Sequence, residues 1–217
     1  MPNGECWVYS MGMLDFLSAC VNLDPIAMVK TGSYLGLAII IFAESGLLVG
    51  IFFPGDSLLF AAGLLSAAGF LSIGPIIFVV VIAAIIGDSV GYWFGANVGT
   101  PFFKRKDSFF FKQEYLKRTE LFYQKYGGRA VVLARFVPIV RTLAPVLAGI
   151  GSMSYATFLR YNILGGLLWG VGMTLLGYSL GSVIPNSEHY ILPISLVIIA
   201  VSFLPIFINL IRGKSAV

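Results

Sequence analysis

Nearly unbroken apolar runs recur at about residues 34–53, 75–94, 161–181 and 191–211, each close to the roughly 20 residues that carry a helix across a hydrocarbon core. Residues 11–29 are different: Asp15, Asn22, Asp24 and Pro25 interrupt the apolar positions. That pattern suits a helix lying at the membrane interface. The run at 34–53 carries Glu44 and stops at Pro54, Gly55 and Asp56, after which residues 57–70 are apolar but too few to span. Proline lacks an amide donor and glycine invites a turn, so 34–70 is expected to form a re-entrant helical hairpin. Its turn should be covered by protein or a water-filled cavity.

Residues 75–99 read as a span holding Asp88, with Gly91, Gly95 and Gly99 on one helix face for close packing. Residues 101–129 are rich in Lys and Arg, and KQEYLKRTELFYQKYGG predicts an amphipathic surface helix ending at Gly127 and Gly128. Residues 130–152 are long enough to cross yet contain Arg135, Pro138, Arg141 and Pro145. Charge placement decides between crossing and returning. If the basic segment is cytoplasmic and 130–152 crosses, Arg160, Arg212 and Lys214 all lie outside, against the positive-inside rule. If 130–152 turns at Pro138 and returns, all three lie inside, and the 182–190 loop, free of Lys and Arg, lies outside. The chain is therefore expected to be an all-α polytopic membrane protein. Its two re-entrant hairpins, 34–70 and 130–152, open to opposite faces in an inverted-repeat-like arrangement. Spans at 75–99 and 158–181 accompany them, an interfacial segment 1–33 precedes, and a transmembrane helix 191–211 follows with its C-terminus cytoplasmic.

Composition agrees with this class: 58% of the 217 residues are hydrophobic and 11% charged, against about a quarter charged in soluble domains. The net charge of +4 does not point to nucleic acid, because eight of the fourteen Lys and Arg residues fall between Lys104 and Arg129. Cys6 and Cys20 lack metal or redox spacing, and no cleavable signal is visible ahead of Lys30. His189, the sole histidine, sits in a short outer loop. With no phosphate loop, metal cluster or nucleophile and base, the residues support neither an enzyme nor a cofactor.

The chemistry concentrates in four charges within apolar sequence: Glu44, Asp56, Arg135 and Arg141. Exposed to lipid, they would cost on the order of 10–14 kcal/mol together. They must pair, line a cavity, or meet a charged substrate. The carboxylates suit proton coupling, since burial raises a carboxyl pKa and a nearby Arg lowers it; Asp56 could also cap a helix starting at Ser57. The arginines suit phosphate, to which a planar guanidinium offers paired donors, or else structural pairing with the carboxylates. Asp88 is open between helix packing and an ion pathway. Trp93, Trp169 and the tyrosines read as interfacial anchors or packing.

The strings FAESGLLVGIFFPGDSLLFAAG, IIGDSVGYWFG, FYQKYGGRAVVLARFVPIVRTLAPVLAGIGSMSY and FLRYNILGGLLWGVGMTLLGYSLG resemble the DedA family of bacterial inner-membrane proteins, the SNARE-associated or VTT-domain superfamily. The resemblance covers residues 34–181. It implies two opposed re-entrant loops, dependence on the proton motive force, and movement of lipids between leaflets. It places the embedded acidic pair at Glu44 and Asp56 and the arginine pair at Arg135 and Arg141. The implied substrate is a lipid, undecaprenyl phosphate or a phospholipid; scramblase activity, a membrane scaffold and a lipid-modifying enzyme are the alternatives. Self-association is left open.

Overall fold

A computed structural model describes residues 16, 18–20, 22, 25–46, 55–99, 121–123 and 125–183. Pro54, most of the basic segment, His189 and the 191–211 helix lie outside the described residues. Among those described, the chain is helical and has no strand. Six helices organise it: α1 Pro25–Gly46, α2 Gly55–Ala67, α3 Ile73–Phe94 continued by a π-helical turn Gly95–Gly99, α4 Arg129–Ala134, α5 Pro138–Ile150 and α6 Tyr155–Val183. Among the described residues, three stretches are long and apolar enough to cross a membrane: Ile26–Gly46, Ile73–Gly99 and Tyr155–Val183.

The first span starts earlier than the 34–53 run suggested. Pro25 opens α1, as proline does where its missing amide costs nothing. The expected boundary at 33 survives only as a kink inside the helix, where Ser33 takes φ 50° and ψ −147°. Residues 25–33 are helical and lead into residues 34–46 across that kink. The third span begins at Tyr155 because Ser154 caps it, its Oγ accepting the Thr157 amide at 3.4 Å.

The helices fall into two compact units. In the first, residues 25–36 of α1 accompany α2 and the end of α6 from Met173. Helix α2 has 13 residues, about 20 Å of rise, and is buried along nearly its whole length. Glycine allows that burial: a Cβ on Gly63 would sit 2.8 Å from the Tyr178 amide nitrogen, and one on Gly181 3.1 Å from Leu64. The chain turns out of the helix after Ala67 through Gly69, whose φ of 84° suits glycine, while the Phe70 amide donates back to the Leu65 carbonyl. Tyr34 Oη accepts the Ser72 amide at 2.9 Å, and Lys30 stands 4.7 Å above the Phe70 ring.

The second unit holds residues 37–46, 74–99 and 121–172 among the described residues. Its α3 and α5 meet along the glycine face read from sequence: Gly91 faces Pro145, Gly95 faces Val146 and Gly99 faces Ile150. Helix α3 also meets α1 backbone to backbone, where a Cβ on Gly46 would lie 2.9 Å from the Gly87 carbonyl oxygen. Beside them a cluster of Tyr123, Val131, Ala148 and Phe158 is buried. Tyr123 donates to the Ala144 carbonyl at 2.9 Å, and burial pushes its hydroxyl up to about 12.

Helical continuity fails at residues 135–137. There the amides of Arg135, Phe136 and Val137 donate three residues back, a tight turn in place of the α-helical pattern. Val137 is extended at φ −117° and ψ 110°, as the residue before Pro138 should be, and Pro138 opens α5.

The close glycine contacts make a direct test. Gly87→Ala places a methyl group 2.8 Å from the Phe42 carbonyl oxygen and should cost about 1–3 kcal/mol as overpacking. Gly172→Ala meets nothing within 4 Å and should be neutral or stabilising by about 0.5–1 kcal/mol, alanine being the better helix former. Unfolding in mixed micelles measures both.

Candidate functional site

Two buried ion pairs form in the second unit. Arg135, at the turn after α4, is 5% exposed and its Nη2 donates to Asp88 Oδ2 on α3. The same nitrogen donates to Asn162 Oδ1 on α6 at 2.5 Å. Asn162, fully buried, uses its amide nitrogen to reach the Ile85 carbonyl at 3.1 Å. Ser89 Oγ donates to that carbonyl at 2.8 Å, and Tyr155 donates to Ser89 at 3.3 Å. The arginine stem lies against α6 where glycine leaves room: a Cβ on Gly165 would come within 2.8 Å of Arg135 Cδ.

The second pair joins Glu44 of α1, 2% exposed, to Arg141 of α5, through Oε1 and Nη2. The Arg141 guanidinium also lies 4.8 Å from the Trp169 ring centroid, a cation–π contact on a buried indole. Burial of this kind is sustained only by such compensation, because an unpaired charge in low dielectric costs several kcal/mol. Two atoms are left over: Glu44 Oε2 and Arg135 Nε are buried with no hydrogen-bond partner among the described residues. Each ion pair thus keeps one unused acceptor or donor.

Three of the four charges singled out in the sequence therefore lie in one unit, but the pairing is not two acids to two arginines from that set. Arg135 takes Asp88 in place of Glu44 or Asp56, so Asp88 is an ion-pair partner at the site. Asp56 belongs to the first unit, half-buried in the first turn of α2. That helix begins at Gly55, ahead of the expected Ser57, so Asp56 lies within the turn and its charge complements the helix dipole there. Gly55 is buried at the same helix start, and Pro138 heads α5. Trp169 is no interfacial anchor: it is 4% exposed beneath Arg141, whereas Trp93 is 60% exposed. Asn162 escaped the sequence reading, although an amide within YNILGGLLWG carries the same kind of desolvation signal as a charge.

The VTT domain model matches residues 53–179. Protein DedA of Escherichia coli K12 is 45% identical over 185 residues, 84% of each chain. The chain belongs to the DedA family. An uncharacterised membrane protein of Mycobacterium tuberculosis H37Rv is 45% identical over 179 residues, covering 82% of this chain and 78% of that one. Inner membrane protein YqjA of Escherichia coli K12 is 36% identical over 148 residues, 68% of this chain and 67% of YqjA. No solved structure matches. With three candidate spans, this DedA-family chain is a multi-pass membrane protein. The domain match takes in Asp56, Asp88, Arg135, Arg141 and Asn162, while Glu44 precedes it.

The ion pair at Asp88 is testable by a double-mutant cycle. Asp88→Asn or Arg135→Gln alone should destabilise by about 3–5 kcal/mol, because each strands the opposite charge. The double variant should cost clearly less than the sum, with a coupling of about 1–3 kcal/mol. Additive losses in micellar unfolding would mean that the two do not depend on each other.

Proposed function

We propose that this protein carries a lipid phosphate, undecaprenyl phosphate first among candidates, across the bacterial cytoplasmic membrane in exchange for proton movement. The observation that supports it is the arginine pair: two guanidiniums on either side of a broken helix, each buried on a carboxylate that can be neutralised. A guanidinium released from its carboxylate presents paired donors that match phosphate oxygens. In this reading protonation of Glu44 frees Arg141, protonation of Asp88 frees Arg135, and the headgroup takes the vacated positions while the hydrocarbon tail stays in lipid. Deprotonation on the opposite side restores the ion pairs and expels the phosphate. Asn162 holds Arg135 in place through the exchange, and Asp56 acts as a further proton-coupling group. The protein works as a transporter and not as an enzyme.

The topology proposed with it is the double hairpin. Residues 34–70 and 130–152 re-enter from opposite faces, and the C-terminus is cytoplasmic, as the Lys and Arg distribution favours. The relative YqjA is named as an inner membrane protein, in keeping with that membrane.

Reconstitution in liposomes tests the reading, with translocation of undecaprenyl phosphate compared with phosphatidylethanolamine, with and without a proton gradient. Glu44→Gln should abolish gradient-driven transport in folded protein. Arg135→Lys and Arg141→Lys keep the charge but lose the planar fork. At about 1.5–3 kcal/mol per charged hydrogen bond, affinity for a short-chain polyprenyl phosphate should fall roughly tenfold to hundredfold. Near-normal affinity in both would reduce the arginines to structural counter-ions, and gradient-independent movement of phosphatidylethanolamine would make the protein a scramblase.

A further inference from the structure

A second feature of the same unit is not used by the ion pairs. The helical residues 121–123 and 125–126, with α4 and α5, enclose an open groove of about 680 Å³. Its lining is mostly apolar, and Leu133, Val137 and Val140 along it are 69%, 45% and 44% exposed. Lys125 and Arg129, both exposed, also line it, and among the described residues no acidic side chain does. The turn at Gly127, with φ 57°, separates these two cations by four positions. Lys125 lies 5.3 Å from the Tyr126 ring centroid.

We infer that this groove binds one anionic glycerophospholipid of the adjoining leaflet, its phosphate on Lys125 and Arg129 and one acyl chain along Leu133, Val137 and Val140. A concave apolar surface with a few polar groups fixing orientation is the ordinary form of a ligand site, and 680 Å³ is within its usual range. Basic pockets beside membrane helices select anionic headgroups. Charge decides between occupants. An anionic headgroup complements the single sign of Lys125 and Arg129, whereas the chain's own residues 101–120 carry six Lys and Arg against three Asp and Glu, a net charge of that same sign. The site is separate from the transport reading, since neither cation belongs to the two ion pairs.

The test uses full-length protein lacking Cys6 and Cys20, with a single environment-sensitive fluorophore on Leu133→Cys, in vesicles of neutral phosphatidylcholine. Nitroxide-bearing phosphatidylglycerol should quench the label at lower mole fraction than nitroxide-bearing phosphatidylcholine. A control label at Leu164→Cys, half-exposed on α6, should show no such preference. At about fivefold per cation, Lys125→Gln and Arg129→Gln should each lower the preference about fivefold, and Lys125→Arg should keep it. Equal quenching by the two lipids, or a preference untouched in the double glutamine variant, overturns the inference. So does a label quenched by neither lipid, which would show the groove filled by protein.

Discussion

A guanidinium or carboxylate withdrawn from water must find its opposite within contact distance, and the second unit is organised around that demand. The two carboxylates sit on different helices, Glu44 on α1 and Asp88 on α3, and those helices touch where neither has a side chain, at Gly46 and Gly87. Asp88 follows Gly87 directly and Glu44 precedes Gly46 by two positions. The glycine contact therefore brings the acids' helices close enough for one segment, α4 and α5 with the tight turn between them, to supply both counter-ions. On an unbroken helix, positions 135 and 141 would point about 120° apart. The turn at 135–137 changes that geometry, and each arginine meets its own acid.

Stability alone gives a weak reason for such an arrangement. Buried ion pairs are often no better than well-packed apolar residues of similar volume, although breaking one is costly. In the transport reading proposed above, what the pairs add is a state that can change. A proton on the carboxylate removes half of the compensation and leaves the arginine in need of another anion. The unused Glu44 Oε2 and Arg135 Nε mean that neither group is saturated when paired. Asn162 and Trp169 limit the freedom of the arginines without neutralising them: one accepts a hydrogen bond and the other offers an aromatic face. That combination positions a cation while leaving its charge available.

The groove obeys a different electrostatic regime. Lys125 and Arg129 are exposed, so salt within a Debye length of about 8 Å screens them, while the enclosed pairs are screened far less. Buried charge must be balanced locally, hence an acid in contact with each arginine. Exposed charge has no such requirement, and the groove carries a single sign. The adjacent residues Ala134, in the groove, and Arg135, in an ion pair, show both regimes meeting on one strand of backbone.

Much of this was legible because burial and backbone geometry leave local marks. Gly91, Gly95 and Gly99 announce a contact face by their spacing, and Pro138 forces an extended residue before it, so both the packing of α3 and the break at 135–137 follow from short-range rules. The four embedded charges were equally plain, since apolar neighbours make a lone charge conspicuous. Partner choice was not plain, because it depends on which helices approach, and Asp88 and Asp56 look alike to any count of charges along the chain. The amide of Asn162 was quieter still: an uncharged polar group carries a smaller desolvation cost, so it stands out less from the apolar run around it. The start of α1 at Pro25 lies ahead of the 34–53 run for a related reason. Pro25 looks like an interruption of a hydrophobic pattern, yet a proline in the first turn of a helix removes no hydrogen bond. Sequence thus reports where a charge or a break must be accommodated, and tertiary contact determines by what.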